Sequence, residues 1–348
     1  MRRIFRFCLP LLLAGGLLSG CKHIRSQQEI AYVSAPQAFL RDQVAAVYNK
    51  TGTVKNGEAV QILGRDRRFA HVRTSSGVDG WLEQRYLVSK QTYDSFQTLA
   101  AQVRTDPIQA TAIAHNQTKI HLQPERDAEH LYQVDQGAKL ALLKRASSEK
   151  PLPVGAPAKA ATSAKAGEST SATAPLEDWW LVRDDQGHVG WVLARMLDVD
   201  IPLEIAQYAE GQRMVASFVL DQVTDNAKKV PQYLVLLSEN KDGMPFDYNQ
   251  IRVFTWNVRR HRYETAYRER NLNGVLPVTV SQENFEKEGN LPVFLVRVKD
   301  EAGNVTERKY KLNTPIVRRV LAAGEAKESS SQSSLARRRS SALRKKRH

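Results

Sequence analysis

Cysteine is almost absent: the 348 residues contain two, Cys8 and Cys21, both within the first 21 positions. Beyond Cys21 the chain can form no disulfide, no thiolate zinc cluster and no cysteine nucleophile. Packing alone must hold the rest together, and 42% hydrophobic residues over this length suffice for two or three small domains. The usual catalytic signatures are missing as well. There is no HExxH zinc motif, no GxSxG elbow, no phosphate-binding P-loop and no cluster of Cys and His. The eight histidines are scattered, and His23, His121 and His130 lie among polar residues, which predicts surface positions. Carboxylates are plentiful, but no pair stands out as a glycosidase pair would. These absences point to a protein that is not an enzyme and needs neither metal nor cofactor.

A membrane-spanning run is also lacking. The apolar stretch from Ile4 to Leu18 contains Arg6, Pro10 and Gly15-Gly16 and runs into Lys22, His23 and Arg25. A spanning helix needs ~20 apolar residues. The basic start (Arg2, Arg3, Arg6), the short apolar core and the small residues that follow have the layout of a removed export signal. It ends in Leu18-Ser19-Gly20-Cys21. That run resembles the lipobox of bacterial lipoproteins, in which a peptidase cuts before an invariant cysteine that carries acyl chains. The resemblance implies a signal peptide over residues 1–20, lipidation of Cys21 and an anchor linker over 21–30. Acyl chains at ~0.8 kcal/mol per buried methylene anchor such a chain without any other membrane element. Lys22 is not the aspartate that retains enterobacterial lipoproteins in the inner membrane. The resemblance therefore implies a bacterial cell-envelope protein on the outer membrane, facing the periplasm.

Charge is placed unevenly. Of the net +14, Arg2, Arg3 and Arg6 supply +3 and the tail over 323–348 supplies +6, which leaves +5 for the body. The tail carries Arg337, Arg338, Arg339, Arg344, Lys345, Lys346 and Arg347 among Ser and Ala, and reads as disordered. Near an anionic lipid or lipopolysaccharide surface each such residue adds ~1 kcal/mol of attraction. The same runs would suggest nucleic acid in a cytoplasmic protein, but export argues against it.

An internal repeat organises the middle of the chain. One copy reads Gly57-Glu58-Ala59-Val60, Phe69-Ala70-His71-Val72-Arg73, Gly77-Val78-Asp79-Gly80-Trp81-Leu82 and Tyr86-Leu87. The other reads Gly137-Ala138-Lys139-Leu140, Trp179-Trp180-Leu181-Val182-Arg183, Gly187-His188-Val189-Gly190-Trp191-Val192 and Met196-Leu197. The glycine-to-tryptophan spacing is 24 in the first copy and 54 in the second, and removing the 30 residues 147–176 restores the register. That segment is Ala, Ser, Thr, Pro and Lys without an aromatic, so it predicts a disordered loop. Such an insertion costs little, because loop-closure entropy grows only logarithmically. Short apolar runs between Gly, Asp, Asn and Ser turns predict strands. The repeat resembles the bacterial SH3-like domain, through its aromatic-x-x-Val-Arg strand and its Gly-x-x-Gly-Trp hairpin. Leu40-Arg41-Asp42 and Leu122-Gln123-Pro124 are loose versions of that family's usual opening. The resemblance implies small barrels over 31–89 and 107–199. Between them Tyr93, Phe96, Leu99, Ala100 and Val103 recur at helical spacing, ahead of Pro107, and predict a linking helix within 90–106. A second short helix is expected from Pro202 to Gly211.

Residues 200–322 keep a β pattern. Strands are expected at 215–219, 233–238, 251–258, 262–268, 292–299 and 306–312, with turns at Asp300–Asn304 and Arg259–Arg262. The expected fold class is therefore mainly β: two SH3-like barrels in tandem, then an all-β sandwich or stack of hairpins, short linking helices and a disordered tail.

SH3-like barrels bind extended peptides along aromatic grooves. The residues expected to serve that role are Tyr48, Trp81, Tyr86, Tyr132, Trp180 and Trp191. Adjacent strand residues face opposite ways, so Trp179 is expected in the core beside the Phe69 position, with Trp180 exposed near Trp191 and Tyr132 on the opening loop. The competing reading makes Trp81 and Trp191 the barrels' own core tryptophans. The basic turn Arg259–Arg262 suits either an anionic polymer or plain solvation. The function expected is a non-catalytic lipoprotein that binds peptidoglycan or an envelope protein. The alternative is an accessory or scaffold subunit of an outer-membrane assembly, acting through its C-terminal β domain.

Overall fold

The computed structural model describes residues 29–151 and 175–321. The expected signal peptide and Cys21, most of the insert and the basic tail with Arg337–Arg339 and Arg344–Arg347 lie outside the described residues. Seven strands come first: β1 (Ile30–Val33), β2 (Gln37–Arg41), β3 (Lys50–Lys55), β4 (Ala59–Asp66), β5 (Phe69–Thr74), β6 (Asp79–Glu83) and β7 (Leu87–Ser89). They bond in the order β3-β2-β6-β5-β4-β1-β7. Alternate side chains turn inward, as a two-residue period requires, and Val33, Leu40, Val54, Val60, Ala70, Val72 and Leu82 fill the interior of this first module.

Helix α1 (Lys90–Gln102) follows, its start fixed by the Ser89 hydroxyl, which accepts the Thr92 N–H. The second module contains β8 (Ala110–Ala114), β9 (Thr118–His121), β10 (His130–Val134), β11 (Lys139–Glu149), β12 (Leu176–Arg183), β13 (Val189–Leu193) and β14 (Leu197–Val199). Its order, β10-β9-β13-β12-β11-β8-β14, is the first order repeated seven strands later. The irregularities repeat too. β4 bulges at Leu63 between the paired residues Ile62 and Gly64, and β11 bulges at Leu143 between Leu142 and Lys144. Gly80 and Gly190 lie where one strand crosses another closely. A Cβ on Gly80 would stand 2.7 Å from Leu40 Cβ, and one on Gly190 2.4 Å from Ile120 Cγ2. Only glycine fits there.

The β11–β12 hairpin reaches further into the insert than the sequence predicts, with Ser147 opposite Asp178 and Glu149 opposite Leu176. The Asp178 carboxylate accepts bonds from the Ser147 hydroxyl (2.8 Å) and Arg145 Nη2 (2.6 Å), which ties a polar stretch into the ladder. Ser147–Glu149 and Leu176 are thus strand, and residues 152–174 lie outside the described residues.

The C-terminal part is a sandwich of two four-stranded antiparallel meanders. One runs β15 (Arg213–Asp225), β16 (Lys228–Ser238), β17 (Gln250–Asn257), β18 (Arg262–Glu269). The other runs β19 (Gly274–Phe285), β20 (Gly289–Lys299), β21 (Val305–Asn313), β22 (Ile316–Val320). Leu234, Leu236, Ile251 and Val253 of one sheet meet Phe294, Val296, Val298, Tyr310 and Leu312 of the other in a single apolar cluster. The outer face of the first sheet buries Tyr233, Val235, Leu237 and Phe254 under Ile205 of α2 (Leu203–Ala206) and Tyr208. Sequence patterning misses β19 and β22. Pro277 interrupts β19, whose register with β20 is irregular between Val275 and Thr279, because proline has no N–H for the ladder. β22 is five residues long, contains Arg318 and Arg319 and follows Pro315.

The second module and the sandwich share one core. Trp180, Val182 and Leu197 belong to the same apolar cluster as Val215 and Leu220. Gln109 Oε1 accepts the buried Val278 N–H at 2.7 Å. Arg145 donates to the Phe246 carbonyl (2.8 Å), Asp178 (2.6 Å) and Asp247 (3.3 Å), while Arg213 reaches Asp178 at 3.1 Å.

Candidate ligand groove between the two modules

The aromatic residues singled out in the sequence do not converge on one surface. Tyr48 and Trp81 lie on the outer face of the first module, Tyr48 above the Arg41 guanidinium at 4.1 Å and Trp81 stacked on His71 at 4.9 Å. Tyr86 packs at the edge of that module's core, with Arg85 over its ring at 4.8 Å. Trp180 is buried, 5% exposed, and Trp179 is buried too. The expected facing is reversed: Trp180 points into the shared core, while Trp179 points outward and is covered edge-on by His121 at 5.4 Å. Docking of the sandwich and of the β9–β10 segment closes both faces of β12. Trp191 is half-buried beneath α1, grouped with Leu99, Ala100 and Val103. Neither Trp81 nor Trp191 is a core tryptophan of its module. Tyr132 stands on strand β10 rather than on a loop and is 4% exposed.

Tyr132 does line a cleft, and the cleft is built by three parts of the chain. The first module supplies Pro36, Lys55, Asn56 and Gly57, α1 supplies Tyr93, Phe96, Gln97 and Ala100, and the second module supplies the far wall. Its volume is about 620 Å³. The floor is aromatic. His188 stacks on Tyr132 at 3.8 Å, Phe96 meets the same ring edge-on at 5.5 Å, and Tyr32 and Tyr93 stack at 3.7 Å where α1 meets the first module. Gln97 Nε2 donates to the Tyr132 hydroxyl at 3.1 Å. Burial pushes the Tyr132 phenol up to about 12, so it keeps its proton at neutral pH.

Polar groups fix the walls. Asn56 Nδ2 lies within bonding distance of the Ser34 carbonyl of its own module (3.0 Å) and the Leu131 carbonyl of the second (2.7 Å), which joins the two modules beside the cleft. Asp184 Oδ1 accepts the N–H groups of Gln186 (2.9 Å) and His188 (2.8 Å), and its Oδ2 lies 2.8 Å from His188 Nδ1. It thereby caps the β12–β13 turn and holds the imidazole against Tyr132. Thr74 caps the equivalent turn of the first module, accepting the Val78 N–H at 3.0 Å. Asp135 accepts from Gln117 Nε2 at 2.9 Å. The cleft thus presents one ammonium, two carboxylates and several amides around His188, which is backed by the buried rings of Tyr132 and Phe96. That set can hold an extended polar chain bearing charges of both signs.

Sequence reasoning misses Lys55, Asn56, Gln97, Asp184 and His188. The repeat could have pointed to Asp184, which occupies the turn-cap position of Thr74. The rest depend on how α1 and the two modules pack. His121 and His130 are half-buried rather than on the open surface, their rings 5.9 Å apart. The basic turn is largely self-satisfied. Arg260 and Arg262 pair with Glu264 at 3.2 Å, and His261 Nδ1 lies 2.6 Å from Asp225. Among the described residues, no three His, Cys, Asp or Glu gather as a metal site would need.

Residues 36–88 match the bacterial SH3 domain family. No curated protein matches the chain. Among solved structures, NlpC2 from Trichomonas vaginalis is similar at 15% identity and a TM-score of 0.16, over 50% of this chain and 48% of that one. NlpC1 from the same organism is similar at 14% identity and a TM-score of 0.16, over 50% and 46%. An NlpC/P60 family protein from Bacillus cereus is similar at 11% identity and a TM-score of 0.22, over 50% and 57%. The chain thus spans about half the length of the solved chains it resembles.

Proposed function

We propose that this chain is a non-catalytic cell-envelope lipoprotein, tethered through acylated Cys21 to the outer membrane and facing the periplasm, which binds the peptide part of peptidoglycan in the inter-module groove. The observation that carries the reading is the cleft itself. It brings Lys55 from a module of the bacterial SH3 family together with Asp135, Asp184 and the Tyr132–His188 stack from a second module of identical strand order. We assign that second module, residues 107–199, to the same SH3-like class. A wall peptide carries free amine and carboxylate groups, which suit the aspartates and Lys55 respectively, and an extended chain can run along the cleft past His188. The lack of any cysteine after Cys21 supports binding without cleavage. The basic tail adds attraction to anionic lipid headgroups or lipopolysaccharide at ~1 kcal/mol per residue near the surface.

Co-sedimentation with purified sacculi tests this reading, using a soluble, anchor-free chain from Lys22 to His348 and a version of it ending at Ala322. Both should pellet at moderate salt. Lys55→Glu and Asp135→Lys, at exposed positions, should each weaken pelleting about tenfold, by reversal of a charge that contributes of order 1 kcal/mol. Pelleting only at low salt and only with the tail present would remove the groove from the account.

A further inference from the structure

In the second module, the outer face of β11–β12–β13 is a seat for a helix. Leu143, Leu181, Val189 and Trp191 receive Leu99, Ala100 and Val103 from the end of α1. Arg183 Nη2 donates to the carbonyls of Val103 and Arg104, closing off the helix C-terminus. The register of the repeat gives each seat residue a counterpart in the first module. Leu63 is the bulge residue of β4 as Leu143 is of β11. His71 pairs with Trp81 as Leu181 pairs with Trp191, and Arg73 pairs with Asp79 as Arg183 pairs with Val189. Leu143 is 1% exposed under its helix, whereas Leu63 is 38% exposed. The Trp81 indole lies stacked on His71 with no helix over it among the described residues, and Arg73 holds Asp79 through Nε (2.6 Å) and Nη2 (2.7 Å), leaving its Nη1 hydrogens for an incoming carbonyl.

We infer that the Leu63–His71–Trp81–Arg73 face of the first module is a docking seat for the C-terminal end of an amphipathic helix supplied by a partner protein. The filled copy sets part of the occupant's chemistry, aliphatic side chains for Leu63 and Trp81 and terminal carbonyls directed at Arg73, whereas His71 and Asp79, which stand where Leu181 and Val189 do, call for polar partners. Its flanks are acidic, because the β4–β5 hairpin beside the seat carries the exposed Arg67 and Arg68, while Arg65 is already paired with Glu29. The two docked units serve different ends. The filled seat fixes α1 as a wall of the groove, and the open seat recruits.

The chain's own helix segment is the probe. With the five tryptophans of the full chain replaced by 5-fluorotryptophan and the Trp81 signal assigned from Trp81→Phe, a synthetic peptide of residues 88–106 should shift that signal saturably. A version with Gln97 and Gln102 changed to glutamate should bind more tightly, and a scrambled peptide should do nothing. Leu63→Asp and Arg73→Glu, both at exposed sites, should each weaken binding at least fivefold while the other four signals stay in place. An unmoved Trp81 signal at millimolar peptide would overturn the inference. So would an equal response to the scrambled sequence, a shift of Trp191 in place of Trp81, or displacement of the Trp81 signal by soluble wall fragments.

Discussion

At the scale of single residues, burial decides more than chemical type. His130 is half-buried, and burial first, then the neighbouring Lys119 and His121, pull its pKa down to about 4. In the unfolded chain the same ring titrates near 6.5. As pH falls from about 6.5 toward 4 the unfolded state therefore takes up this proton first. The stability tied to neutral His130 is whole above that window and is lost progressively within it. His130→Asn should flatten the fall of melting temperature between pH 6.5 and 4, read from thermal melts at half-unit steps. His121, lowered by burial in the same way, should make the His121→Asn, His130→Asn pair flatter still. An unchanged slope in both variants would mean that neither ring is held neutral by the fold.

At the scale of elements, the two modules show which sequence features carry structural information. The Gly-Trp dipeptides mark a strand crossing, and the crossing explains the glycine. Gly190→Ala would drive a methyl to 2.4 Å from Ile120 Cγ2 and 2.7 Å from the His121 carbonyl, where backbone cannot yield. A loss of about 3 kcal/mol is expected from such overpacking, measurable by urea unfolding. Gly77→Ala has open space around it but sits at φ 84°, so it should lose about 1 kcal/mol from backbone strain alone. Features of this kind are local, which is why the α1 span and most strands and turns could be read from the chain, β19 and β22 excepted. Side-chain facing on β12 could not. Trp179 and Trp180 are equally apolar, and what covers each comes from segments distant in sequence: the sandwich for one, the β9–β10 segment for the other. The groove was illegible for the same reason. Of its residues only Tyr132 is recognisable as a binding side chain in isolation, whereas Asn56, Gln97 and His188 gain their roles from Leu131, Tyr132 and Asp184 across module boundaries.

At the scale of the whole molecule, the apolar cores divide the chain unequally. The first module has its own cluster, while the second module and the sandwich share one. Their junction also holds the Asp178 carboxylate, 1% exposed, between Arg145 and Arg213. Burial alone would raise its pKa, but bonds from Arg145, the Gly243 N–H and Ser147 more than offset that and hold it below the ordinary carboxylate value. The junction's contribution is thus complete above about pH 4, near where Asp178 titrates in the unfolded chain, and drains away as pH falls through the lower folded value. Removing one partner of a buried pair leaves an uncompensated charge, so Arg145→Ala should cost about 3–5 kcal/mol. That cost should fall on one transition only. Calorimetry should resolve two unfolding units, with the larger, comprising the second module and the sandwich, shifted down by Arg145→Ala and the smaller left in place. Asp178→Asn should lower the same transition and remove its acid limb below pH 4. A single transition moved as a whole by Arg145→Ala would show instead that the Asn56–Leu131 bond and α1 couple the first module to the rest. The groove would then be a rigid clamp rather than a joint between two independently folding parts.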